Sequence, residues 1–171
     1  GRDDVLFIST HQWGIFPGTG PAEDIGTGSG KGYNVNIPLN SRSGDATYEA
    51  AMESMVLPIL RQYQPEAILM SLGIDAHYMD PLASLNLSSS GYLDSLRSVT
   101  DFAAEQCDNR YSVFLEGGYN LEALSEVVCG AMAHGMEQDT ELRFTEVSDE
   151  ENIGFEFLKK AKAVQSKHWN V

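Results

Sequence analysis

Short apolar runs that alternate with longer amphipathic stretches constrain the fold of this chain more than any other feature. The runs have the length of β-strands and lack a regular polar alternation, which is typical of strands buried on both faces of a parallel sheet. They are Val5–Ser9, Ala67–Leu72 and Tyr111–Leu115. Apolar residues recur at helical spacing over residues 45–63, 90–107 and 120–136. This order predicts an α/β fold with a parallel sheet flanked by helices.

A fourth strand is predicted at Tyr33–Pro38, where the side chains alternate with period two and the run ends at a proline. A sheet of so few strands leaves an apolar edge open to another chain. Such an edge favours pairing with another chain, and on length the sequence is one domain or a large piece of one. Residues 137–171 are expected to be a polar linker followed by a C-terminal helix from about Ser148 to Lys167.

The first helical stretch carries two local signals. Asp45 stands at its start and is predicted to be the N-cap. Pro58 lies inside the stretch, where it removes a backbone donor and is predicted to kink the helix.

Composition narrows the classes of partner. A formal net charge of −14 on 171 residues opposes binding to a phosphate backbone and favours cationic ligands, although solubility is the simpler reason for most of it. No window approaches the ~18 apolar residues that cross a bilayer. Cys107 and Cys129 do not have metal-type spacing, so a reducing cytoplasm is the expected location. Because the chain opens without Met, four residues before an apolar strand, we expect a segment trimmed from a longer protein.

Two of the predicted strands end in residues that can carry chemistry. One leads into Asp75 and His77, and the other leads through two glycines into Tyr119. Ligands of open α/β sheets bind at this edge, where a phenol can donate to an oxyanion and a carboxylate with an imidazole suits Zn²⁺. Two other interpretations remain open. Asp75 and His77 can hydrogen-bond their own loop, and a tyrosine after two glycines is often structural.

A loop with six glycines between Phe16 and Gly32 follows the first strand. It lacks the spacing of a phosphate-binding loop and leads into a strand, so a loop with several positive φ angles is favoured over a nucleotide site. A wall of an active site, with Phe16 as its aromatic face, is a third possibility. His11 lies at the same sheet edge and could be a ligand or a hydrogen-bond donor. No Gly-x-Ser-x-Gly elbow of a serine hydrolase occurs.

Taken together and in this order, these segments resemble the histone deacetylase and acetylpolyamine amidohydrolase superfamily. The resemblance runs from about Val5 to Gly135. The motifs that carry it are Ser9-Thr10-His11, Phe16–Gly20, Gly28–Leu39, Gly73–His77, Asp80-Pro81-Leu82 and Glu116–Leu121.

The resemblance implies a parallel α/β fold of the arginase and deacetylase type, with a zinc ion at the base of a narrow tunnel. It makes Asp75 a zinc ligand and Tyr119 the catalytic hydroxyl that polarises the amide carbonyl. The tunnel would be lined by Phe16, Leu82, Gly117 and Gly118. The Ser9 side chain and the Thr10 carbonyl match a structural potassium site. His11 and His77 would be neighbours of the site without an assigned role.

One departure from the superfamily is large. Its members also need an Asp-x-His zinc pair and a tandem His-His dyad for proton transfer, and no tandem His occurs in this sequence. The chain thus holds one of three expected zinc ligands, too few for a four-coordinate site. The resemblance therefore implies that residues 1–136 are an incomplete domain, the C-terminal half of a zinc-dependent deacetylase acting on acetyl-lysine or an acetylpolyamine. It would be inactive without the missing half.

Two alternatives remain. A half-fold could pair its open sheet edge with a second copy and act as a binding or assembly module. A minimal metal hydrolase could instead rebuild its site from His11, His77 and Asp75.

Overall fold

A computed structural model describes residues 1–145, 147 and 153–171 of the chain. The described residues contain four strands and five α-helices. The strands are β1 (Phe7–Gln12), β2 (Asn34–Leu39), β3 (Ile68–Leu72) and β4 (Tyr111–Leu115). The helices are α1 (Asp45–Ala51), α2 (Leu57–Tyr63), α3 (Ser89–Gln106), α4 (Leu121–Gly135) and α5 (Phe155–Gln165). A short 3₁₀ turn at Gly28–Gly30 lies in the glycine-rich loop.

The strands pair in parallel, as the sequence predicts, but in two sheets of two among the described residues. β1 pairs with β2, with Phe7 opposite Asn34, and β3 pairs with β4, with Ile68 opposite Tyr111. No described strand joins the two pairs. Each pair nevertheless places both of its carboxyl ends at the same edge, because parallel strands run in one direction.

The core is centred on β2 and the helices that cover it. Val35, Ile37 and Leu39 of β2 are fully buried. Helix α5 packs against β2 and buries Leu158 and Ala161 in the same cluster. The predicted start of this helix at Ser148 lies outside the described residues. None of the helices in the described ranges is long and apolar enough to cross a bilayer.

The predicted kink at Pro58 takes the form of a π-helical segment, Met52–Val56, between α1 and α2. Pro58 cannot donate to Ser54, the residue four positions before it, and its ring crowds that carbonyl. Just before the proline the backbone hydrogen bonds join residues five apart rather than four, as in other π-helical segments at helix kinks. The stretch stays helical on both sides, so one long amphipathic surface still faces the core.

The predicted N-cap at Asp45 is wrong by one residue. Gly44 is the N-cap of α1, and Asp45 is the first residue inside the helix. The Asp45 carboxylate accepts hydrogen bonds from the Ser88 backbone N–H (2.8 Å) and from the Ser88 hydroxyl (2.5 Å). Asp45 therefore ties the start of α1 to the start of α3.

The prediction that the strands are buried on both faces is wrong for β1, β3 and β4, since no residue of these strands is buried. Residues opposite each other in a parallel register share a face, so Leu69, Ser71, Ser112 and Phe114 lie together. This set is the open face, where Leu69 is 77% exposed and Phe114 is 52% exposed. On the other face Ile68, Leu72 and Tyr111 pack against the core, whereas Val113 and Leu115 are 40% and 55% exposed. An apolar run alone does not indicate how many of its faces are covered.

Candidate functional site

The loops that follow β3 and β4 are interlocked at the carboxyl edge of their sheet. The Ile74 N–H donates to the Gly117 carbonyl at 2.7 Å. The Asn120 side-chain amide donates to the Met79 carbonyl at 3.2 Å, while its oxygen caps the start of α4. The strand pairing thus continues into the loops and holds residues 73–80 against residues 116–120.

Asp75 lies in this interlocked region with its carboxylate pressed between two glycines. A Cβ on Gly73 would meet Asp75 Oδ1 at 3.0 Å, and a Cβ on Gly117 would meet Oδ2 at 2.7 Å. Burial raises the pKa of Asp75, its own backbone N–H lowers it, and the charge of Asp80 raises it. Among the described residues no cationic side chain pairs with it. A half-buried carboxylate with a raised pKa at this sheet edge is a candidate for a functional group.

Tyr119 stands at the end of the second loop with its side chain 56% exposed. Gly118 precedes it with a φ of +134°, and a Cβ there would approach the Ile74 Cβ to 3.0 Å. The glycine therefore meets two needs, a left-handed backbone and a close approach to the neighbouring loop. This turn directs the tyrosine away from the core and leaves its phenol open.

Asp80 has a larger role than the sequence indicated. As an aspartate before a proline it predicts only a turn, and it does form one, because Oδ1 accepts the Leu82 N–H (2.9 Å) and the Ala83 N–H (3.1 Å). Its second oxygen accepts the Tyr119 N–H at 2.8 Å. That partner lies 39 residues away, so no local pattern could have found it.

His77 is a buried structural residue. Its side chain is engaged at both nitrogens, with Nδ1 accepting the Met79 N–H and Nε2 bonded to the Ser89 hydroxyl, each at 3.2 Å. The ring stacks on Tyr78 with centroids 4.7 Å apart, and burial lowers its pKa. Of the interpretations left open for His77, the hydrogen bonds match the one in which it holds its own loop.

His11 is also held at both nitrogens, by the Ser9 hydroxyl and by the Gly20 carbonyl, each at 3.0 Å. Burial lowers its pKa, although hydrogen bonds to the backbone oppose this. The neighbouring Thr10 hydrogen-bonds through its side chain to the buried Tyr48 hydroxyl. Phe16 is 95% exposed in the loop that follows β1. The tunnel and potassium roles of these residues stay predictions.

The residues described do not by themselves fit a zinc ion. No group of three His, Cys, Asp or Glu side chains that could hold a metal occurs in the described part of the chain. Neither His11 nor His77 is brought to Asp75 as a co-ligand, which argues against a minimal site built from these three residues. Asp75 offers one donor, whereas protein zinc sites use three or four.

The comparisons with known proteins agree with the motifs. A family model described as the histone deacetylase domain matches residues 1–134. Histone deacetylase 14, chloroplastic, from Arabidopsis thaliana is 41% identical over 137 residues, which cover 80% of this chain and 32% of the relative. A probable deacetylase from Archaeoglobus fulgidus is 44% identical over 120 residues, which cover 70% of this chain and 33% of the relative. A histone deacetylase-like amidohydrolase from Pseudomonas aeruginosa is 43% identical over 120 residues, which cover 70% of this chain and 32% of the relative.

Solved structures match over nearly the whole chain. The crystal structure of the HDA15 HD domain aligns with a TM-score of 0.83 at 29% identity, covering 97% of this chain and 44% of that one. The structure of the histone deacetylase Clr3 aligns with the same TM-score at 27% identity, covering 96% and 28%. The chain spans about a third of the length of the curated relatives it matches. It belongs to the histone deacetylase family, as its motifs predicted.

Proposed function

We propose that this chain carries the aspartate and tyrosine part of an amide hydrolase that removes the acetyl group from acetylated amines, either acetyl-lysine or an acetylpolyamine. The observation that carries the proposal is the joint placement of Asp75 and Tyr119 in interlocked loops at one sheet edge. Membership of a deacetylase family supplies the reaction class. The net charge of −14 favours a cationic amine as the substrate.

Tyr119 acts in this proposal as the donor to the oxygen of the scissile amide. Its exposed phenol is free to reach a substrate carbonyl, and the turn at Gly118 presents it at the carboxyl edge of the sheet. A donor aimed at the developing oxyanion acts in the transition state more than in the ground state, so it raises kcat. Phe16 and Leu82, both largely exposed, would flank the path of the substrate stem.

Asp75 would supply one carboxylate ligand to a zinc ion whose remaining ligands come from outside these residues. Zinc in such sites polarises a carbonyl and activates water. The 171 residues also contain no tandem His pair to act as general base and acid. We therefore propose that the chain is inactive alone. Ser9 and Thr10 would contribute to a potassium site near the zinc.

The partner we propose is the remainder of a deacetylase domain, covering the open face of β3 and β4. Leu69 and Phe114 on that face are apolar and exposed, and burying them would stabilise the assembly. The same exposure favours a second candidate, a homodimer that acts as an assembly module. Light scattering separates the two, because a strict monomer at micromolar concentration contradicts the homodimer.

Complementation tests the activity. The chain alone is compared with a chimera in which it replaces the matching segment of the Pseudomonas aeruginosa amidohydrolase. We expect the chain alone to give no turnover of an acetyl-lysine peptide and no stoichiometric zinc uptake, and the chimera to give both. Turnover by the chain alone, or a zinc-loaded chimera without turnover, contradicts the proposal.

Tyr119→Phe tests the role of the phenol within that chimera. We expect kcat to fall by roughly 10²–10³-fold, because one oxyanion donor is removed, while the zinc content stays the same. Tyr111→Phe is the matched control, since it makes the same change at the opposite end of β4. Unaltered turnover in Tyr119→Phe would remove the catalytic assignment.

A further inference from the structure

The Asp80 carboxylate joins the two loops of the candidate site. Oδ1 accepts the backbone N–H groups of Leu82 and Ala83, at 2.9 and 3.1 Å, and Oδ2 accepts the backbone N–H of Tyr119 at 2.8 Å. All three bonds are charge-assisted when the carboxylate is ionised, and such bonds are about twice as strong as neutral ones. Asp80 thus links residues 82–83 of the first loop to the tyrosine of the second.

The bond to Asp80 holds the N–H of Tyr119 itself, between two residues that other bonds hold: the Gly117 carbonyl accepts the Ile74 N–H, and Asn120 donates to the Met79 carbonyl. Gly117 and Gly118 precede it and have no side chains to pack, and the Tyr119 side chain is itself more than half exposed. The next fixed point is Asn120, which caps α4. The two donors on Oδ1 prevent the carboxylate from rotating freely, so Oδ2 stays directed at the Tyr119 N–H.

We propose that Asp80 is a positioning residue, which sets where Tyr119 stands relative to the loop that carries Leu82. This inference rests on the proposed function for its catalytic consequence. Asp80 does not touch the substrate and acts through the backbone of Tyr119. Loss of the link lets the phenol move, and a displacement of about 1 Å at a reacting group can lower the rate by roughly 10²-fold.

Amide hydrogen exchange on the 171-residue chain tests the link without a metal or the rest of a domain. In Asp80→Ala, protection of the Tyr119, Leu82 and Ala83 amides should fall at least tenfold, because all three hydrogen bonds to the carboxylate are lost. In Asp80→Asn a single oxygen remains, so protection should fall either at Tyr119 or at the other two amides. Asp101→Asn, an exposed aspartate on α3, is the matched control and should change none of them. Unchanged protection of Tyr119 in Asp80→Ala overturns the proposal.

A double-mutant cycle in the chimera tests the consequence for catalysis. Asp80→Ala should lower kcat roughly 10- to 100-fold with KM nearly unchanged. It should have almost no further effect in a Tyr119→Phe background, because the phenol it positions is already gone. A general loss of structure would instead lower kcat by the same factor in both backgrounds, and that result overturns the proposal.

Hydrogen exchange and the double-mutant cycle together distinguish a failure of this inference from a failure of the proposed function. A silent Tyr119→Phe variant contradicts the catalytic role of the tyrosine and therefore the proposed function. The exchange data then decide alone whether Asp80 holds the Tyr119 backbone. Urea midpoints of all variants show which of them remain folded.

Discussion

Gly117→Ala tests the close packing around Asp75 directly. The added Cβ would lie 2.7 Å from Asp75 Oδ2 and 3.0 Å from Cγ, but 3.5 Å from Cβ, which is an ordinary contact. Only the end of the aspartate side chain is therefore in the way, and a rotation about χ1 can move it. Gly117 does not have a positive φ, so the backbone tolerates alanine.

The size of the effect follows from this geometry. If the aspartate alone moves, the free energy of unfolding should fall by about 0.5–1.5 kcal/mol, the cost of an off-rotamer side chain. If the backbone had to move, overpacking would lower it by roughly 1–3 kcal/mol. With a urea m-value of about 2 kcal/mol/M, the smaller loss is a shift of roughly 0.5 M in the midpoint.

The assay is urea unfolding followed by tryptophan fluorescence. Trp169 suits it, because its ring packs edge-on to Tyr33 and its N–H donates to the Gly32 carbonyl. The key comparison is Gly117→Ala in an Asp75→Ala background, where the obstructing atoms are absent and the loss should vanish. Gly135→Ala is the control, since nothing lies within 4 Å of its added Cβ. An equal loss with and without the Asp75 side chain would refute the reasoning.

Two further predictions concern buried groups away from the site. Burial acts to raise the pKa of Glu126, but hydrogen bonds from Phe144, Arg143 and Ser89 outweigh it and hold the pKa below its usual value. The ionised Glu126 stabilises the fold above its unfolded pKa, and this contribution is lost as the pH falls through its folded pKa. Glu126→Gln should therefore flatten the decline of stability between about pH 5 and 3. Acid titrations followed by circular dichroism measure this. An identical acid profile would contradict this. Burial raises the pKa of the Cys107 thiol while Cys129 is exposed, so a thiol reagent should titrate one cysteine in native buffer and two in urea; two equally fast thiols would contradict it.

Local pattern predicted the order and type of the elements, because each strand and helix is specified by its own periodicity. It failed where burial depends on distant partners. In β2, Asn36 fits the polar position of a half-exposed strand, yet it is 3% exposed because its amide donates to the Asp24 carbonyl at 2.9 Å. In β4, Phe114 reads as a core residue but lies on the open face.

In the candidate site, too, local features were predictable from the sequence and contacts between distant residues were not. Local features, namely residue type and neighbouring glycines, are what made Asp75 and Tyr119 candidates, and their roles stay predictions. No local pattern indicated that Asp80 bonds to Tyr119, since the two residues meet only when β3 and β4 pair. His77 carried a plausible metal-ligand signal, but its partner Ser89 lies on a helix twelve residues away and keeps it in the interior.

The interlocked loops after β3 and β4 have a consequence for protein engineering. Three hydrogen bonds join the aspartate loop to the tyrosine loop. They run from the Ile74 N–H to the Gly117 carbonyl, from the Tyr119 N–H to the Asp80 carboxylate, and from the Asn120 side-chain amide to the Met79 carbonyl. Loops from different deacetylases should therefore be exchanged as a matched pair rather than singly. A graft of either loop alone would keep its motif and lose the spacing between Asp75 and Tyr119.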